Sequence, residues 1–327
     1  MRRRTFIMLM GGAATAAWPL EAHAQQERVR LVGLVSGFSE DEMRPLLAAF
    51  RARLSQLGWT EGHNLAIDAR LGAGDYALMT EAAGALISRN PDVIVAMGTP
   101  GLIAVRQHTR TVPVVFTVVA DPVRTGMIES LARPGGHATG FTNFEFSIGA
   151  KWLELLKDLS PRLTQITTIA NPNNPTADPL ARYIEKTGRA IAIGITTASV
   201  RGPKDIEAAI IGEGQQSGRG LIVLPDSLAI VHSDLIIGLA ERYKRPAIYP
   251  FRIFAAKGGL LSYGLDLPEI YRQAAAYVDR ILQGIRPSDL PVQAPNKFEL
   301  VINLKTAKAL GLEISPTLLA AADEVIE

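Results

Sequence analysis

Seven places in the 327-residue chain combine polar or aromatic side chains with the abrupt end of an apolar run. They are Ser36-Gly37-Phe38, Gly98-Thr99-Pro100, Ala120-Asp121-Pro122, Asn171-Pro172-Asn173, Pro225-Asp226-Ser227, Tyr249-Pro250-Phe251-Arg252 and Tyr263-Gly264. Their side chains suit the capture of a small molecule. Asp121 or Asp226 can pair with a ligand ammonium, and the Thr99 hydroxyl with the free amides around Pro100 can receive a carboxylate. Asn171 offers an amide, Arg252 can bind an anion, and Tyr249, Phe251 and Tyr263 can line an aromatic pocket. Each also has a plainer role. Thr99-Pro100-Gly101 reads as a helix N-cap with proline at N1, Asp121 and Asp226 as caps or turn-makers, Asn171–Pro175 as a turn, the aromatics as core and Arg252 as a solvated charge.

Bond-making chemistry finds little support. There is no cysteine, which excludes disulfides, thiolate metal sites and a catalytic thiol. No phosphate-binding loop, nucleophile elbow or H-E-x-x-H is present. His63, His108, His137 and His232 are dispersed without metal-ligand spacing. Gly72-Ala73-Gly74-Asp75-Tyr76-Ala77 satisfies G-x-G-x-x-A, but it follows the second strand-like run, and Asp92 precedes the next strand instead of ending it. A turn explains it better than a dinucleotide, and no cofactor is expected.

The elements that position the seven sites follow from periodicity. Short β-branched or apolar runs at Val29–Val35, Leu65–Arg70, Val93–Met97, Val114–Val119, Gln165–Ala170, Ala190–Thr196, Gly220–Leu224, Ala247–Tyr249 and Leu260–Tyr263 alternate with helix-like stretches such as Met43–Leu57. That rhythm predicts an α/β protein of βαβ units with parallel sheets, and nine strands suit two sheets. In such sheets ligands bind beyond the carboxyl ends of the strands, where all seven sites lie. The Gly- and Pro-rich segment Arg133–Gly140 is expected to be a first crossover between halves, with further breaks at Gly264 and Pro287–Pro295. Three connections between two lobes would form a hinge.

Arg2, Arg3 and Arg4, an apolar stretch from Phe6 to Leu20 and Ala22-His23-Ala24 have the order of an export signal, with Arg3-Arg4 resembling a twin-arginine motif. Cleavage after Ala24 removes three arginines and Glu21, leaving 31 basic and 31 acidic residues. With no basic stripe, a nucleic-acid partner is not expected.

The ordered set Leu57-Gly58-Trp59-Thr60-Glu61-Gly62-His63-Asn64, Pro113-Val114-Val115-Phe116, Asp121-Pro122-Val123, Pro134-Gly135-Gly136 with Thr139-Gly140, Ser262-Tyr263-Gly264 and Leu300–Ala307 resembles the periplasmic solute-binding proteins of ABC transporters, in the branch that includes tryptophan and tyrosine receptors. The resemblance covers Val29–Glu327 and implies two Rossmann-like lobes of the type I periplasmic-binding kind. Expected bounds are residues 1–24 for the signal, 28–142 plus 264–290 for lobe 1, and 143–263 plus 291–327 for lobe 2. It further implies a periplasmic, non-enzymatic receptor, a monomer that holds a small-molecule solute with the loops at Ser36, Thr99, Asp121, Asn171 and Asp226 and delivers it to an ABC permease subunit in the inner membrane. The Pro225-Asp226 loop lacks the Thr that amino-acid-binding relatives often carry between these residues. A periplasmic sensor module would share the whole fold, and an exported α/β hydrolase is a further alternative.

Overall fold

The computed structural model describes residues 28–143, 145–211, 218–295 and 297–327; the expected export signal lies outside them. The first half alternates β1 (Arg30–Ser36), α1 (Glu40–Gln56), β2 (Leu65–Leu71), α2 (Tyr76–Ile87), β3 (Val93–Met97), α3 (Gly98–His108), β4 (Val114–Val119) and β5 (Ala138–Thr142). The strands form a wholly parallel sheet in the order β2-β1-β3-β4-β5. Every residue of β3, β4 and β5 is buried. Such unbroken apolar runs are what a parallel sheet covered by helices on both faces requires.

The chain then continues through α4 (Ile148–Leu159), β6 (Gln165–Ala170), α5 (Ala177–Ala190), β7 (Gly194–Ser199), α6 (Pro203–Ile211), β8 (Arg219–Val223), α7 (Ser227–Val231), α8 (Ser233–Arg242), β9 (Ala247–Tyr249), α9 (Arg252–Ala256) and β10 (Leu261–Gly264). Next come α10 (Leu267–Leu282), β11 (Glu299–Asn303), α11 (Leu304–Ala309), α12 (Pro316–Ala321) and β12 (Glu324–Ile326). The second sheet runs β12-β11-β10-β9-β8-β6-β7, parallel except where β10 meets β11. Helix α10 packs on α1 and on β3, β4 and β5 of the first sheet. The chain therefore passes between the sheets three times, after Thr142, after Gly264 and before Glu299, which is a three-segment hinge.

Sequence periodicity placed most of these elements, a strand expected at Phe298–Asn303 among them, and missed β5 and β12. Strand β12 is three residues long, too short for a periodic signal. Strand β5 lies partly inside Arg133–Gly140, expected to be the crossover; the crossing comes after Thr142 instead. Gly140 looked like a breaker, yet it sits inside the strand at φ +148°, and a Cβ there would lie 1.9 Å from the Phe116 carbonyl oxygen. The glycine permits close approach of β5 to β4. Gly140→Ala is expected to destabilise the protein by about 3 kcal/mol, read as a lower urea midpoint; an unchanged midpoint would show that β5 shifts freely.

The third crossover is fastened to β5. Gln293 N donates to Gly140 O at 2.9 Å, Thr142 N to Gln293 O at 2.9 Å, and the Thr139 hydroxyl to Leu290 O at 2.6 Å. On the other side, the buried Trp152 of α4 donates its indole N–H to Tyr263 O at 2.9 Å, fixing the end of β10. The strand ends of both sheets consequently face one another across a short span.

Candidate functional site

The carboxyl ends of β1, β3 and β4 meet those of β6 and β8 around a cavity of about 60 Å³, room for roughly four or five water-sized probes. The first lobe contributes Gly37, Phe38, Tyr76, Met79, Met97, Gly98, Thr99, Pro100, Val118, Ala120 and Asn143, and the second Asn174, Thr176, Pro225, Asp226, Ser227, Ile230 and Phe251. The wall is mostly apolar, and no Lys, Arg or His lies among these residues.

Asp226 is the chemical centre. It caps α7, accepting from Leu228 N at 2.9 Å, as its position after a strand foretold. Its carboxylate also accepts from Asn171 Nδ2 at 3.0 Å and Asn174 Nδ2 at 2.9 Å, and from the hydroxyl of Tyr76 on the opposite lobe. Burial pushes the Asp226 carboxyl above its ordinary value, while these four donors pull it back. Burial, with the adjacent carboxylate, pushes the Tyr76 phenol far up, so it stays protonated and donates.

Other contacts close the cleft. A Cβ on Gly37 would lie 2.5 Å from Ser227 Oγ and 2.8 Å from Ser227 Cβ. The Ala73-Gly74 turn, both residues at positive φ, brings Gly74 against the Leu228 backbone. This is the segment that matched G-x-G-x-x-A; its Asp75 caps α2 through Ala77 N and Leu78 N, and its work is lobe contact. Lys257, after α9, reaches Glu42 of α1 at 3.9 Å.

The sequence-derived candidates divide into three groups. Gly37, Thr99, Pro100 and Asp226 line the cavity. Thr99 does not cap α3, because Gly98 at φ +73° turns the chain one residue earlier and Met97 takes the cap position; its hydroxyl instead accepts from Ala120 N at 3.2 Å. Ser36 and Asn171 stand one layer behind. The Ser36 hydroxyl accepts from Phe38 N at 3.1 Å and donates to Met97 Sδ, bracing two lining residues. Asn171 orients Asp226 and accepts from Asn173 N at 3.0 Å.

Four candidates do not line the cavity. Asp121, at φ +43°, makes a turn and pairs with Arg124 at 2.5 Å on the surface. Tyr249 is wholly buried and stacks on Phe254, with ring centroids 4.8 Å apart, because β9 is an interior strand. Arg252 begins α9 and makes a two-point pair with Glu324 of β12 at 2.6 Å per contact, a partner invisible while β12 was unrecognised. Tyr263 stacks on Phe298 at 5.6 Å and offers its carbonyl to Trp152.

Tyr76, Val118, Asn143 and Asn174 line the cavity although none of them was a candidate from the sequence. Asn174 belongs to the Asn171–Pro175 cluster, and Tyr76 to the rejected glycine motif, so both had a signal. Val118 had none. It adopts φ +58° where the β4–β5 register shifts between Phe116 and Val119. A β-branched residue there is strained by about 1–3 kcal/mol, and such strain gathers at functional sites.

Residues 31–326 match the family model for ABC transporter substrate binding proteins. The chain belongs to that family. A tyrosine-binding protein from Clostridioides difficile (strain R20291) is 28% identical over 294 residues, which cover 88% of this chain and 82% of the relative. Among solved structures, a conserved domain protein from Vibrio cholerae O1 biovar El Tor superposes with a TM-score of 0.84 at 28% identity, covering 91% of this chain and all of the other. A Streptococcus pneumoniae ABC domain in complex with L-Trp gives 0.83 at 20% identity, covering 91% of this substrate binding protein and 99% of that chain. Family membership makes this protein a binder of small molecules. Among the described residues no helix is long and apolar enough to cross a membrane, and no cluster of His, Asp and Glu could hold a metal ion.

Tyr76 is positioned to favour the closed state. Tyr76→Phe removes the hydrogen bond across the lobes, leaves the ring in place, and is expected to shift the free protein toward open forms. Small-angle scattering should show a larger radius of gyration than for the unaltered protein; an equal radius would mean that other contacts suffice.

Proposed function

We propose that this substrate binding protein captures an aromatic α-amino acid between its lobes and, once closed, delivers it to an ABC permease after export to the periplasm. The observation that carries the reading is the buried Asp226 carboxylate at the seam of an otherwise apolar cavity. A carboxylate out of water is costly unless a cation or several donors meet it. A ligand ammonium supplies that cation from the cleft side, taking over the place of the Tyr76 hydroxyl as the lobes part and reclose. With no cationic side chain among the described lining residues, the ligand carboxylate is met by the backbone N–H groups of Gly98 and Thr99 in the first turn of α3, Pro100 carrying none. Phe38, Met97, Val118, Ile230 and Phe251 supply the apolar surface for a ring. The tyrosine-binding relative and the L-Trp complex support this solute class.

Closure follows from linkage. A ligand that touches both lobes binds the closed form more tightly and shifts the population toward it. Nothing in this cycle requires the chain to make or break a bond, and it functions as a receptor, not an enzyme.

The test is thermal unfolding of protein refolded to remove carried-over ligand, with L-tryptophan, L-tyrosine and L-phenylalanine against L-leucine, L-glutamate and glucose. At about 100 times Kd a ligand adds about 2.7 kcal/mol, raising the midpoint by roughly 5 °C for a chain of this size. A rise confined to the aromatic amino acids is expected. A rise with glucose or glutamate alone would overturn the solute class.

A further inference from the structure

Asn143 stands at the end of β5, where the chain first leaves the first sheet. Its backbone N–H donates to Val119 O at 2.8 Å, so its position is set by the same irregular end of β4 that strains Val118. The residue is 6% exposed and lines the cavity, and its carboxamide oxygen Oδ1 is buried with no hydrogen-bond partner. Buried side-chain acceptors are nearly always paired, and an exception requires a reason. Of the other polar groups on the wall, Asp226 accepts four hydrogen bonds and Thr99 Oγ1 accepts Ala120 N–H, while the Ser227 hydroxyl is likewise buried with no hydrogen-bond partner but, unlike the Asn143 oxygen, can donate as well as accept.

The two acceptors differ in kind. Among the described lining residues Asp226 is the only carboxylate and suits an ammonium, whereas Asn143 is neutral and suits a neutral donor. We propose that Asn143 is the specificity residue of this site. Its Oδ1 accepts a hydrogen bond from a ring donor, the indole N–H of tryptophan or the phenol O–H of tyrosine, and the site thereby discriminates against phenylalanine. The proposal rests on the aromatic amino-acid reading and adds to it the donor the ring must carry. A site built around such a bond rejects an analogue lacking the donor, because the acceptor is then left buried and unpaired.

Isothermal titration calorimetry with L-tryptophan, L-tyrosine, L-phenylalanine and 3-benzothienylalanine tests it; the last keeps the bicyclic ring and replaces the indole N–H by sulfur. For the unaltered protein, benzothienylalanine and phenylalanine should bind roughly tenfold or more weakly than tryptophan. In Asn143→Leu, tryptophan should fall to within about threefold of benzothienylalanine, whose affinity stays near its original value. Equal binding of benzothienylalanine and tryptophan by the unaltered protein overturns the proposal while leaving the aromatic amino-acid reading intact, and this comparison needs no variant to fold. Persistence of the gap in Asn143→Leu also overturns it. Failure of all four to bind overturns both readings.

Discussion

Asp226→Asn is expected to lower amino-acid affinity about 30- to 100-fold, the largest loss from any isosteric change in the protein. The carboxylate can accept from Leu228 N, Asn171, Asn174 and Tyr76 together because it has only acceptor sites. A carboxamide keeps the shape, loses the charge and turns one acceptor into a donor that faces other donors. The charge-assisted bond to a ligand ammonium contributes about 2–3 kcal/mol, and it goes with the charge. Calorimetry against L-tryptophan reads the affinity, and urea unfolding reads stability separately. Unchanged affinity would remove Asp226 from the site. A loss of stability with unchanged affinity would assign it to bracing α7 alone.

Gly37→Ala is expected to weaken binding about tenfold or more by propping the lobes apart. The new Cβ would meet Ser227 Oγ at 2.5 Å, which a rotamer change can relieve, and Ser227 Cβ at 2.8 Å, which it cannot. Gly37 is not at positive φ, so alanine is tolerated by the backbone and the first lobe should fold normally. The cost falls only on the closed state and therefore on ligand affinity. Ser227→Gly should restore much of the binding when combined with Gly37→Ala, because it removes the atoms the methyl meets. Without that rescue, the affinity loss would have to come from a direct ligand contact at Gly37.

The two substitutions act on different terms of one equilibrium. In the proposed cycle Asp226 carries attraction between ligand and closed cleft, and Gly37 permits the cleft to close. Tyr76 links them, since its hydroxyl reaches Asp226 from the other lobe. Under the proposed function a ligand ammonium competes with that hydroxyl, so the closed state would have a partner for its buried carboxylate both before and after capture. This limits the energy difference between the two conditions, which keeps closure reversible and release possible.

By itself the sequence determined the alternation of apolar runs and amphipathic helices, hence two parallel-sheet lobes, because helical and strand periods are local properties of the chain. It also pointed to the strand ends as the place for ligand chemistry, and so to Gly37, Thr99, Pro100 and Asp226, which line the cavity between the sheets. Only the tertiary structure decided which strand ends face each other. Tyr249, Arg252 and Tyr263 stand at strand ends as Asp226 does, but their neighbours in space are Phe254, Glu324 and Phe298. Those partners are the core and the edge of the second sheet, not the first lobe. Conversely, Tyr76 is 150 positions from Asp226, and the glycine motif that contains it said nothing of that partner. Val118 and Asn143 depend on a register shift between β4 and β5 that comes from packing around Gly140, not from any local preference. A ligand site made by two lobes closing is a property of pairs distant in sequence, and periodicity holds no information about such pairs.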